Sequence, residues 1–257
     1  MGSIYGLAVV LFIFGGIIIQ CSALVLDTRA MPETDFEKAL KEWNRVQTLV
    51  LIAPEQRRTM VLIAEHLTNL KKMNVDSPGG SFLYLKDGDP VIKLPSVEHF
   101  EITFRGPYGV DKNFSFYMPK LKKLIVRDAD ANDKKIIKFV SQHSRTLKTL
   151  DLVAANYRTL RTLGAMKHIE EFVTSPPLFD IGFLTESFEQ FDDSFKLKTL
   201  KFRDADREMY ELYKATMIPI NIRLGSSGKL TWTLSYVPRD GTDMGDIVFN
   251  SQRSTKS

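Results

Sequence analysis

The segment Leu121-Lys-Lys-Leu124-Ile-Val126 returns as Leu147-Lys-Thr-Leu150-Asp-Leu152 and again as Leu197-Lys-Thr-Leu200-Lys-Phe202. The same LxxLxL spacing fits Val46 to Leu51, Leu70 to Val75 and Val97 to Ile102, with weaker copies starting at Ile169 and Met217. The starts at 46, 70, 97, 121, 147, 169, 197 and 217 are separated by 24, 27, 24, 26, 22, 28 and 20 residues. A recurrence of roughly 20 to 29 residues is the period of units that cannot bury their apolar side alone and must stack on their neighbours. Arg127-Asp-Ala-Asp130 and Arg203-Asp-Ala-Asp206 follow their copies in identical register, 76 residues apart (203 − 127).

Between the copies the apolar spacing becomes helical: Met60, Val61, Ala64 and Leu67; Ile136, Ile137 and Val140; Met209, Leu212 and Tyr213. Thr34-Asp-Phe-Glu37 reads as a capping box opening a helix from Phe36 to Trp43, its hydroxyl and carboxylate satisfying exposed helix N–H groups. Each unit is expected to be strand, turn, helix.

The chain resembles the leucine-rich-repeat superfamily over roughly residues 46 to 222, and the copy from Leu121 to Leu147 resembles the cysteine-containing repeat of F-box proteins. Asn132-Asp133 stands where that family usually has Thr-Asp opening the helix. Ala129 stands where it places a buried Cys or Asn, and Pro54, Pro78, Ala155 and Ala205 fill the same slot elsewhere. The resemblance implies an α/β solenoid, a horseshoe or arc, with a parallel sheet on the concave face and helices on the convex face. Without Asn or Cys at that corner the family's hydrogen-bonded ladder is missing and irregular turns are expected. No F-box is recognisable, since residues 1 to 45 offer only an apolar run and one short helix. Cys21-Ser-Ala-Leu24-Val-Leu26 also fits LxxLxL, 25 residues before Val46.

With 257 residues, 44% hydrophobic and 26% charged, the chain is neither collagenous nor a multi-span membrane protein. A net charge of +4 is too balanced to imply nucleic acid, and the single Cys21 forbids an intrachain disulfide. The first 26 residues lack any charge, and Leu7 to Ile19 lack any polar side chain. Residues 1–26 are therefore read as a signal peptide, cleaved near Leu24, or as an N-terminal membrane anchor associating through residues 4–26. The remaining alternative merges them into a first repeat. The expected organisation continues with a solenoid over 27–224, capping strands over 225–249 and a disordered tail over 250–257. Leu230 to Tyr236 and Ile247 to Phe249 alternate as strands around an Asp240-Gly241 turn, a hairpin that would protect the last sheet edge. The segments 77–90 and 106–113 read as insertions, the second reaching a glycosylation sequon at Asn113-Phe-Ser115.

Catalytic signals are poor. His66, His99, His143 and His168 have no metal-ligand spacing, and no nucleophile elbow or phosphate loop is present; Gly225 to Lys229 reads as a flexible turn. Asp128, Asp130 and Asp133 read as turn and cap residues rather than a calcium site. No enzyme activity, cofactor or metal is expected.

What remains is the strand face left free by the inward leucines. By two-residue alternation it carries Lys72, His99, Lys123 and Thr149 in one row. Glu101, Ile125, Asp151 and Lys201 form the next row, and Arg127 follows. Arg127 beside an exposed Ile125 is the expected anchor, with Asp128 or Asp151 as its competing ion-pair partners. The function expected is non-enzymatic recognition of a protein or peptide on this face. The alternative is a cytosolic substrate-recognition fragment of an F-box-type ubiquitin-ligase component.

Overall fold

The computed structural model describes residues 13–14, 17–18, 23–28, 32–52, 57–77, 91–104, 116–127, 139–153, 167–176, 186, 188, 194–227 and 229–252. Cys21, Pro54, residues 78–90, the sequon at Asn113, the Asp128 to Asp133 cluster, Ile136, Ile137, Ala155 and residues 253–257 lie outside them. The protein is α/β, with ten strands of mostly parallel sheet, five in each of two compact units, Met1–Lys135 and Ile136–Ser257.

The first unit opens with a short antiparallel pair, β1 (Ile13–Phe14) and β2 (Ile17–Ile18). Its main strands are β3 (Ala23–Asp27), β4 (Thr48–Ile52), β5 (Lys72–Ser77), β7 (His99–Phe104) and β9 (Lys123–Arg127). They pair in parallel so that Leu24, Leu49, Met73, Phe100 and Leu124 share one rung and Leu26, Leu51, Val75, Ile102 and Val126 another. All ten side chains are buried. The register follows from the spacing, because a one-residue slip would turn every one of them to the opposite face. The turn into each strand also recurs: Lys71 and Lys72 N–H both donate to the Gln47 carbonyl, Glu98 and His99 to Lys71, and Lys122 and Lys123 to Glu98.

Among the described residues of this unit are two helices packed on one another, α1 (Glu33–Glu42) and α2 (Arg57–His66). The capping box is corrected: α1 starts before Thr34, with Pro32 at its N-cap and no side-chain cap bond, and Glu37 binds Lys41 at 2.7 Å instead. Proline needs no donor partner at a helix start, and the i,i+4 spacing favours the Glu37–Lys41 pair. The buried face of α2 comprises Met60, Leu62 and Ile63, with Leu67 just beyond, while Val61 and Ala64 are only half-buried.

Among the described residues, the stretches leading into β7 and β9 are strands where helices were expected. β6 (Ile92–Lys93) and β8 (Phe116–Tyr117) instead form a small parallel sheet. Ile92 and Leu94, and Phe116 and Met118, are buried in two-residue alternation and are followed by Pro95 and Pro119. Proline holds the residue before it extended, so these segments cannot close as helices. Both end in the same turn, Val97 N–H to Leu94 and Leu121 N–H to Met118.

In the second unit β10 (Thr149–Val153), β11 (Glu171–Thr174) and β12 (Thr199–Asp206) run parallel. β14 (Met244–Gln252) joins β12 antiparallel, and β13 (Thr231–Pro238) closes a hairpin against β14. Leu150, Phe172, Leu200 and Phe249 share a rung, as do Leu152, Thr174, Phe202 and Ile247. The weak copy at Ile169 thus puts a threonine in an apolar slot, and the buried Thr174 Oγ1 has no hydrogen-bond partner among the described residues. The Asp240-Gly241 turn forms as expected, with Gly241 at φ 76°. β14 runs on to Gln252, so residues 250–252 of the expected tail are strand.

The copy at Met217 is not a strand. It lies in α3 (Arg207–Ser226), where Tyr213, Met217, Ile220 and Leu224 are buried and Ile222 is 68% exposed. An apolar pair three apart suits one helix face as well as it suits LxxL, which explains the misreading. The same helix absorbs Gly225 and Ser226 from the expected flexible turn. Tyr213 packs against Phe202 and Phe249 at 5.5 and 6.2 Å between ring centroids, and burial pushes its hydroxyl up to about 12. Asn221 fastens α3 to β13, donating to the Trp232 carbonyl at 2.7 Å and accepting from its N–H at 2.9 Å.

The transmembrane helix expected as one reading of residues 4–26 is also corrected. Among the described residues no helix is long and apolar enough to cross a membrane, and the described parts of that run are the strands β1, β2 and β3. β3 continues the repeat spacing, pairing Leu24 with Leu49 and Leu26 with Leu51.

Candidate recognition face

Each unit buries one face of its strands, and the expected recognition residues all lie on the other. In the first unit Lys72, His99 and Lys123 form one row across β5, β7 and β9. Asn74, Glu101 and Ile125 form the next row, and Asp76, Thr103 and Arg127 the third. Neighbouring strands lie about 4.8 Å apart, so side chains within a row are in reach of one another.

Arg127 donates through Nε to Glu101 Oε1 at 2.9 Å, reaching one strand sideways and two residues back. This diagonal is a normal cross-strand contact for long side chains. Of the expected partners, Asp128 lies outside the described residues and Asp151 is taken by another arginine. The exposed aliphatic anchor is corrected, since Ile125 is only 6% exposed. Lys123 and Arg127 flank it along β9 and Glu101 beside it on β7, so three long polar side chains surround one apolar residue.

The row above is different in kind. Lys72 and Lys123 are half-buried, and neither has an ion-pair partner among the described residues. His99 stands between them, its Nε2 buried without a hydrogen-bond partner. Burial holds the His99 imidazole below its usual value, the flanking Lys72 and Lys123 charges push the same way, and Glu101 opposes them. Two ammonium groups flanking a neutral imidazole concentrate positive charge in this row, with no ion pair to either lysine among the described residues.

In the second unit the equivalent face is internally paired. Thr149 donates to Glu171 at 3.3 Å. Asp151, 2% exposed, accepts from Arg203 at 2.8 Å across the width of β11, and Val173 between them is 3% exposed. Lys201 and Arg239 both hold Asp246, at 2.5 and 2.7 Å, and Arg239 also binds Asp204. Burial pushes the Asp246 carboxyl up, but hydrogen bonds from Lys201 and Arg239 outweigh it and leave it below its usual value.

Sequence reading missed Arg203, Asp204, Arg239 and Asp246. The available signal was the duplicated Arg-Asp-Ala-Asp: Arg127 and Arg203 both reach back to an acid between the last two apolar residues of an earlier copy, Glu101 or Asp151. The second copy also shows what the motif does. Asp204 takes φ 57°, Ala205 is fully buried, and Asp206 caps α3 by accepting from Met209 N–H at 2.7 Å. Cap and turn roles were expected for the acids of the first copy.

A further charge ladder lies where the strands begin. Glu98 binds Lys122 at 2.7 Å, and Glu170 binds Lys148 and Lys198 at 2.9 and 2.7 Å. Hydrogen bonds from Lys198 and Lys148 bring the Glu170 carboxyl down to about 2. Among the described residues no three His, Cys, Asp or Glu side chains come together as a metal site. A cavity of about 470 Å³ beside α1 and α2 is lined by Lys41, Asn44, Arg45, Glu65, His66, Thr68 and Asn69. No protein-family model matches the chain, and no curated protein matches it.

Proposed function

We propose that the chain is a leucine-rich-repeat-type recognition scaffold that binds a protein or peptide on the uncovered face of its parallel strands, without catalysis of its own. The observation that carries this reading is the Lys72, His99 and Lys123 row, where two half-buried ammonium groups and the buried His99 Nε2 have no partner among the described residues. Such groups cost stability in isolation and repay it when a partner supplies acceptors. The in-step strands support the same reading, because they set side chains at a fixed spacing suited to an extended surface.

Photocrosslinking side chains placed at Asn74 and Thr103 on this face, and at Ile222 on the exposed side of α3, test the proposal. Partner adducts from the strand positions support it; adducts from Ile222 alone overturn it. The leader reading of residues 1–26 is a separate proposal. N-terminal sequencing that finds a mature chain starting near Leu24 supports a secretory route, and an intact Met1 in cytosol overturns it.

A further inference from the structure

We infer that the Lys72, His99 and Lys123 row is the seat for an acidic side chain of the partner, so that the recognised segment is an acidic peptide; this rests on the recognition face proposed above. The two lysines sit on the strands either side of β7, their backbones about 10 Å apart by strand spacing, with His99 on the strand between them. A carboxylate seated over the row meets two cations and brings a negative charge beside the buried His99 imidazole, which the two lysines and burial otherwise keep neutral. Residues beyond the row define the size of the ligand. Thr48 and Ala23 continue it toward the edge strand without further charge, whereas Glu101 and Asp76 lie in the rows below. A discrete acid or a short acidic stretch fits this pattern. A long polyanion would run onto those carboxylates, which argues against nucleic acid.

Seating an anion also changes His99. Its imidazole stays neutral in the free protein because burial and its lysine neighbours disfavour the charge, with Glu101 the one nearby group acting the other way. A bound carboxylate reverses that balance, so binding takes up a proton and strengthens as pH falls toward 6.

The test is a titration of the full chain with a fluorescent short poly-glutamate peptide, with poly-glutamine and duplex DNA as comparators. Poly-glutamate is expected to saturate and poly-glutamine not to bind. Lys72→Gln and Lys123→Gln, which keep most of the aliphatic stem, should each weaken binding about tenfold. Lys214→Gln, on α3 of the second unit, should leave binding unchanged. His99→Gln should abolish the gain between about pH 7.5 and about pH 6. Absence of saturable poly-glutamate binding, indifference to both lysine substitutions, or equally tight binding of duplex DNA overturns the inference. A natural partner crosslinked from Asn74 yet insensitive to Lys72→Gln and Lys123→Gln overturns the acidic seat alone and leaves the recognition face standing. Adducts confined to Ile222 remove the face itself.

Discussion

On the uncovered strand face of the first unit, Lys72 and Lys123 flank His99 with no ion-pair partner among the described residues; on that of the second, Arg203, Lys201 and Arg239 are all held by acids. The repeat chemistry beneath is the same, with leucines and phenylalanines in matching rungs and two consecutive N–H groups sharing one carbonyl at each turn. What differs is whether the polar residues on top satisfy one another. A face that neutralises itself is stabilised and offers little to a ligand, while one that leaves cations half-desolvated keeps its electrostatic free energy for a partner.

The shared foundation gives the largest effect. Leu124, Leu150 and Leu200 are buried at equivalent sites, and truncating any of them to Ala should cost about 2 to 5 kcal/mol in urea unfolding. A loss well below 1 kcal/mol at one site would show that its unit does not depend on that rung. Next comes the contrast between the two arginines. Arg203→Ala removes an ion-pair partner of the buried Asp151 and should cost about 3 kcal/mol, whereas Arg127→Ala, whose pair with Glu101 is more exposed, should cost about 1 kcal/mol or less. Equal losses would erase the difference drawn between the faces.

Thr174→Val removes a buried hydroxyl that has no partner among the described residues and should stabilise the second unit by about 1 kcal/mol. A destabilised variant would mean that the hydroxyl is bonded in solution. The smallest effect is the dependence on pH. His99 and His143 both titrate below the usual 6.5 in the folded chain, chiefly through burial, although the Phe139 carbonyl bonded to His143 acts in the other direction. Below 6.5 the unfolded chain therefore binds more protons, and stability should fall from that pH downward until the folded imidazoles protonate. Glu170 contributes in a lower window, its stabilisation present above 4.5 and lost as pH falls toward about 2. Thermal melts across this range should show the first decline reduced in His99→Gln; an unchanged decline would exclude His99 as a contributor.

The strand half of the fold was legible because LxxLxL records both period and facing direction. Seven of the eight copies are strands, and the fit beginning at Cys21 marks β3 as well. The helical half was less legible. Ile92 to Pro95 and Phe116 to Pro119 carry an alternation followed by proline that specifies short strands, but each is too brief to stand out without the turn that repeats it. On the candidate face the positions were readable and the pairing was not. Alternation places Ile125 and Asp151 outward, yet both are covered by long neighbours whose reach sideways depends on register, as with Arg203 crossing β11. Met217 shows the reverse limit, since three-residue spacing alone does not separate strand from helix.

The contrast between the two faces is tested most directly by following the His99 imidazole by NMR during a pH titration, with and without the poly-glutamate peptide. The account predicts a midpoint below 6.5 for the free chain that moves upward when the peptide is bound and stays put in Lys72→Gln/Lys123→Gln. A midpoint unchanged by bound peptide would contradict it.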